Sequence, residues 1–244
     1  SYEPSNNDNY VLVSFAPVWK ISNFLKNLFK NNFSKFEKIK GLIICSSSSV
    51  LTKRFSYNNF DKELALKLKN SEEDIFKVFE KYKLPISIIQ PALIYGNVGK
   101  YRDKNMNVII SVMRKMPLIV IPSNSGKRQP IHAYQLAQLF SLKYDLIIKG
   151  QFRGRERILV GGDNIISYKN MIEQLQKSLS NSDKGKTCKI ITINTRLFVF
   201  LISPLNFISP KIFESLLRIS SDLSGFNRVS DLTKKELLEF PIKD

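Results

Sequence analysis

Four hydroxyls stand in a row at Ser46-Ser47-Ser48-Ser49, directly after the apolar run Gly41-Leu42-Ile43-Ile44-Cys45. At the exit of a strand such a run is a polar turn by default, and a source of catalytic hydroxyl where neighbouring elements hold a substrate. The single histidine, His132, has no carboxylate at adjacent or helical spacing to orient it, which favours a structural imidazole over a general base. Cys45 and Cys188 lie far apart, with no second Cys or His at ligand spacing, so neither a disulfide framework nor a metal site is implied. That cysteine usage fits a reducing cytoplasm. The tightest basic cluster, Lys149 to Arg157, is a candidate loop for contact with phosphate or an acidic surface.

The chain that must position these groups has 244 residues, 43% hydrophobic and 24% charged, a globular composition that excludes disordered, collagen-like and coiled-coil chains. Lys and Arg number 38 against 21 Asp and Glu, a net charge of +17, and such a field favours anionic partners. The basic residues are mostly dispersed lysines, and no continuous basic helix or stacking-aromatic motif accompanies them, so no specific nucleic-acid binding is expected. The most apolar run, Leu197 to Ile208, is too short to span a bilayer and is interrupted by Pro204. It reads as a buried or interfacial segment. Ser1 to Asn9 is polar and acidic, which does not fit a signal peptide, and the missing initiator Met points to a chain cut from a longer one.

Tyr10 to Phe15 is a continuous apolar run ending at Ala16-Pro17, as expected of a strand buried on both faces of a parallel sheet. Phe24, Leu25, Leu28 and Phe29 follow at helical spacing, and Gly41 to Cys45 is a second strand, so a βαβ unit opens the chain. Leu64, Leu68, Ile75, Phe79 and Tyr82 place a long amphipathic helix over 62–83. Further strands are expected at 84–89, 118–121, 157–160 and 189–193, and helices at 108–116, 133–148 and, capped by Ser167, up to about residue 179. Short helices fill the tail, the last over 231–240. The alternation argues for an α/β sheet with helices on both faces, over 1–165, and a smaller, mainly helical lobe over 166–244.

Dinucleotide-binding sheets place a glycine-rich turn after their first strand, because only glycine lets the backbone approach a pyrophosphate at a helix N-terminus. None of the ten glycines forms such a motif, and the first is Gly41. Either the opening strands are missing from this chain or it binds no dinucleotide.

Val11 to Pro17, Cys45 to Val50, Gln90-Pro91-Ala92-Leu93-Ile94-Tyr95-Gly96 and Gly126 to Ala137, in this order and spacing, resemble one family. It is the extended or atypical short-chain dehydrogenase/reductases, within them the NAD-dependent epimerase/dehydratase group that modifies nucleotide sugars. The resemblance covers about Tyr10 to Phe140 and is strongest to epimerase-like proteins of polysaccharide gene clusters. It implies a Rossmann-like doubly wound parallel sheet lacking its first strands, with Tyr10 to Phe15 as the fourth strand and the glycine turn before Ser1. A sheet opened there would expose a hydrophobic edge.

The resemblance also implies NAD or NADP as cofactor of the intact protein, bordered by Phe15, Ala16, Pro17, Ser46, Pro91 and Tyr95. It implies a nucleotide-diphosphate sugar as ligand, met by Leu93, Asn105, Arg128 and His132, and it leaves a homodimer open. Ser47 matches the family's catalytic Ser. The family's Tyr-x-x-x-Lys, in which a phenol transfers the proton and the Lys lowers its pKa, does not survive. Leu64 or Ala65 stands for the Tyr, and Lys69 for the Lys in one register but Leu68 in the other. Tyr57 and Tyr101 lack the required spacing to a Lys. Gln90 replaces a family Arg, Leu93 an Asn, and Tyr134 and Gln135 replace Asp residues. The reading is a nucleotide-sugar epimerase, dehydratase or reductase homologue of cell-surface polysaccharide synthesis, with little or no activity in this chain alone. The alternative is a non-catalytic relative that binds a nucleotide or a partner.

Overall fold

Strand β1 (Tyr10–Ser14) leads into helix α1 (Val18–Asn31), a helical turn α2 (Phe33–Phe36) and strand β2 (Ile39–Cys45) in the computed structural model, which describes residues 10–31, 33–97 and 103–242. Tyr101 lies outside them. Pro17 starts α1, its carbonyl accepting from the Lys20 and Ile21 N–H groups. The serine run enters α3 (Ser49–Thr52), and Asn58, whose side chain accepts from the Asp61 N–H, caps α4 (Asn59–Tyr82). Lys83 stops α4 in the left-handed conformation, with φ 52°.

Strand β3 (Ile86–Pro91) follows, then β4 (Ile94–Tyr95), α5 (Asn105–Lys115), β5 (Leu118–Pro122), β6 (Lys127–Arg128), β7 (Ile131–His132) and α6 (Ala133–Ile148). The chain re-enters the main sheet at β8 (Arg155–Gly161). Beyond it lie β9 (Ile166–Ser167), α7 (Tyr168–Ser178), β10 (Lys189–Ile193) and three short helices, α8 (Thr195–Ile202), α9 (Leu205–Ile208) and α10 (Pro210–Leu217). Strand β11 (Asn227–Arg228) and α11 (Val229–Thr233) complete the fold.

The main sheet has the order β1-β2-β3-β8-β11, and every pairing in it is parallel, with Val13 opposite Ile43 and Ile44 opposite Ile88. Leu42, Ile44, Ile86 and Ile88 point to α1 and α4, where they meet Val18, Leu25, Leu68 and Ile75. Ile43, Ile89, Ile158 and Val160 point the other way, onto Leu136, Leu139, Phe140 and Ile147 of α6. Alternate residues thus serve opposite faces, which is why the strands read as unbroken apolar runs. Each fully buried aliphatic contributes about 2 kcal/mol relative to exposure. The expected α/β sheet covered by helices on both faces is what forms.

Strand β1 is an edge: among the described strands it pairs only with β2, and Phe15 just beyond it is 63% exposed. A second, smaller core lies beside the sheet. Strands β5 and β10 pair in parallel, and α5 and α7 enclose Met113, Ile121, Ile172 and Cys188 with them. Residues 105–122 therefore share a core with the later part of the chain.

Several boundaries shift by two or three residues, and two differences have a visible cause. Helix α5 begins at Asn105, three residues early, because Asp103 Oδ1 accepts from the Met106 N–H at 2.7 Å. The helix expected over 231–240 forms only as α11. Lys234 turns into the left-handed region at φ 56°, and the next backbone donors are taken by side chains, Leu238 N–H by Asp163 at 3.0 Å and Phe240 N–H by Asn164 at 2.7 Å.

Candidate functional site

A cavity of about 470 Å³ opens at the carboxyl ends of β2 and β3, where wound sheets hold their ligands. Ser47 and Lys53 reach it from the segment around α3, Leu93 from the loop after β3, Asn105 from the first turn of α5, and Arg128 from β6. Arg218, just beyond α10, closes the far wall.

Arg128 is buried, and backbone carbonyls hold its guanidinium. Nη1 donates to Lys127 O at 2.8 Å and Ser221 O at 2.6 Å, and Nη2 donates to Arg218 O. The group also lies 5.2 Å from the Tyr168 ring centre. Gly126 permits this approach, since a Cβ there would sit 2.1 Å from Ser221 O. Arg128 has no carboxylate at ion-pair distance among the described residues. Burial lowers its pKa, with the Tyr168 and Asp222 charges acting the other way.

Beside it, the fully buried Asp61 carboxylate accepts from Lys53 Nζ at 2.7 Å and Arg218 Nη2 at 2.9 Å. Asn58 Nδ2 donates to it as well, at 3.2 Å. Burial alone would raise the Asp61 pKa, but the hydrogen bonds from Lys53 and Asn58 and the charges of Lys53 and Arg218 outweigh it and hold the pKa below the ordinary value of 3.8. Glu214 is the second carboxylate, 3.5 Å from Arg218 Nη1. Lys53, Arg128 and Arg218 line the cavity and no carboxylate does, Asp61, Glu214 and Asp222 standing behind these cations; a cationic lining suits a diphosphate.

The Asp61 shift sets a sign. A depressed folded pKa stabilises fully above the unfolded value and is lost as pH falls through the folded pKa. Asp61→Asn is expected to cost about 2 kcal/mol at pH 7, less than a fully buried pair because Lys53 and Arg218 can turn to water. Urea unfolding at pH 7 and below pH 4 checks it: the difference from wild type must shrink on acidification.

The structure brings four of the sequence-derived residues, Ser47, Leu93, Asn105 and Arg128, to this one cavity. Lys69 is elsewhere. It lines a separate cavity of about 590 Å³ between α4 and β8, with Glu72, Gln90 and Arg157, so it does not join Ser47. In the other register Leu64 and Leu68 pack into the apolar layer under α1 and α4. Neither register supplies a phenol.

The residues expected around a cofactor are mostly committed to other contacts. Ser46 Oγ donates to Glu72, Pro91 is buried, and the Tyr95 hydroxyl accepts from the Ile242 N–H at 3.1 Å. Phe15 is exposed with its ring 4.5 Å from that of Phe140, and Ala16 and Pro17 form the open turn into α1. His132 is the N-cap of α6: its Nδ1 accepts from the Tyr134 N–H at 3.2 Å, and its ring packs edge-on to Tyr95. Burial pushes the Cys45 thiol up to about 12, which makes it a packing group. The described residues contain no glycine turn for a pyrophosphate, and therefore do not by themselves fit a dinucleotide.

Glu72, Asp61, Lys53 and Arg218 were missed from sequence. Glu72 left a legible signal, four residues after Leu68 and seven after Ala65, on the buried face of α4. Lys53 and Arg218 left none, being two cations among 38.

No protein-family model matches the sequence, and no curated protein matches it. Solved structures do. A UDP-N-acetylglucosamine 4-epimerase from Bacillus cereus aligns over 94% of this chain and 78% of its own, at 13% identity and a TM-score of 0.50. A GDP-mannoheptose C4 reductase from Campylobacter jejuni, with NADP bound, aligns over 73% of this chain and 62% of its own, at 12% identity and a TM-score of 0.53. A UDP-glucuronic acid 4-epimerase from Bacillus cereus, in complex with NAD, aligns over 87% and 63%, at 17% identity and a TM-score of 0.50. The chain thus spans 62% to 78% of these structures. It shares the fold of these structures, a Rossmann-like α/β fold built on a parallel sheet.

Proposed function

We propose that this chain is the nucleotide-sugar-holding part of an NAD(P)-dependent protein of the epimerase, dehydratase or reductase type, serving cell-surface polysaccharide synthesis. The observation that carries this reading is the convergence of Ser47, Asn105 and Arg128 on one cavity with a cationic lining at the carboxyl end of the sheet. The neighbours with bound NAD or NADP support the cofactor. In the whole protein a nicotinamide would supply hydride transfer. The residues of this chain orient the sugar diphosphate and screen its charge. With Leu64 and Leu68 packed in the apolar layer, no phenol of the described residues stands where the proton would be transferred, and little or no turnover is expected of the chain alone.

Calorimetric titration with a UDP-sugar and a GDP-sugar tests the reading. One of them is expected to bind, and Lys53→Met is expected to weaken it about tenfold, the loss of one charge-assisted contact. A folded protein that binds neither overturns it.

A second reading, a non-catalytic relative that keeps the fold for binding, is favoured by those same leucines. Ser47→Ala in a protein extended before Ser1 separates the two: an enzyme loses turnover by orders of magnitude, and a binding module keeps its affinity.

A further inference from the structure

Helices α8, α9 and α10 are apolar on two faces, one buried and one exposed. Phe198 and Ile202 of α8 are buried with Ile219, and Leu205 of α9 and Phe213 of α10 pack against them. The outer face carries Leu197, Phe200, Leu201, Phe207, Ile208 and Ile212, all exposed, with Phe207 at 91% and Phe200 at 72%. A contiguous apolar face of this kind on a soluble surface marks an interaction site. Tyr57, 93% exposed, extends it, since Tyr57 lines one groove with Asn206 and Pro210.

The exposed charges of α8, α9 and α10 have one sign, the single carboxylate of these helices, Glu214, being buried against Asn58 and Arg218. Arg196 and Lys211 are exposed on α8 and α10 themselves, and Lys211 Nζ lies 3.8 Å from the Phe60 ring centre. No helix of the described residues is long and apolar enough to cross a membrane. A second copy docking through this face would bring like charges together. A negatively charged bilayer meets both requirements, accepting the apolar side chains at the acyl boundary and pairing the cations with its headgroups.

We propose that the outer face of α8, α9 and α10 docks in the plane of an anionic lipid membrane, beside the mouth of the diphosphate cavity. Cosedimentation with phosphatidylcholine vesicles containing about one-quarter phosphatidylglycerol tests it, against pure phosphatidylcholine. The anionic vesicles are expected to retain the protein at least about tenfold better, with the difference shrinking as salt rises. Phe200→Ser with Phe207→Ser is expected to abolish that retention without altering circular dichroism or nucleotide-sugar affinity. Arg196→Gln with Lys211→Gln is an independent variant and is expected to remove most of it. Leu66→Ser, at an exposed apolar residue on α4, is expected to change nothing. Protein that remains in the supernatant with anionic vesicles at low salt overturns the proposal. So does a dimer, seen by sedimentation, that the paired serine variant dissolves.

Discussion

Glu72→Leu is expected to lower the unfolding free energy by about 3 kcal/mol, and Gln90→Leu, added to it, to restore a large part of the loss. Glu72 is 1% exposed in the middle of α4. It accepts from Ser46 Oγ, from Gln90 Nε2 at 2.9 Å to both oxygens, and from Arg157 Nε at 3.0 Å. Leucine leaves the buried Gln90 amide and the Ser46 hydroxyl without this acceptor, and an orphaned buried donor costs more than an intact pair gives. Arg157 suffers less, because it keeps Glu73 at 2.7 Å and the Phe76 ring at 4.3 Å. When Gln90 is also apolar, the main orphan is gone. A double-mutant cycle in urea should therefore show coupling of about 1 to 2 kcal/mol. Additive losses would show that the carboxylate and the amide do not act as a unit.

Arg128→Met is expected to weaken nucleotide-sugar binding by about 100-fold and to destabilise the protein by about 3 kcal/mol. Methionine keeps the apolar length of the side chain and the contact with Tyr168, but it abandons the carbonyls of Lys127, Arg218 and Ser221. Those carbonyls tie β6 to the segment after α10, and that tie also carries Arg218 to the cavity. Arg128→Lys is the informative companion, because an ammonium restores the charge without the planar fork. It should recover binding partly and stability little. Titration well below each variant's unfolding midpoint separates the two effects, and unchanged affinity in folded Arg128→Met would remove Arg128 from the site.

The sheet was legible because its cause is local. Strands buried on both faces are apolar at nearly every position, so Gly41 to Cys45 and Leu84 to Ile89 announced themselves, and the helices between strands followed from periodicity. Tyr10 to Phe15 reads the same way, but β1 is an edge strand, with Val13 and, just beyond it, Phe15 exposed. The long apolar stretch from Leu197 was legible only as buried or interfacial. Its composition cannot say which side chains meet Val120 and Ile193 and which meet solvent. The last helix was misjudged because propensity is local, whereas Asp163 and Asn164, some 75 residues away in sequence, capture the backbone that would have continued it.

By itself the sequence determined the order of the main strands and helices, the parallel winding and the absence of a glycine-rich turn and of any Tyr-x-x-x-Lys, since each depends on residue type at short spacing. Only the tertiary structure decided that Ser47, Asn105 and Arg128 share one cavity while Lys69 belongs to another, and that Asp61 gathers Lys53 and Arg218. The reason is geometric. On α4 a shift of one residue turns a side chain by about 100°, from the apolar layer to the groove over β8, and Arg218 is brought beside Arg128 by carbonyls some 90 residues downstream.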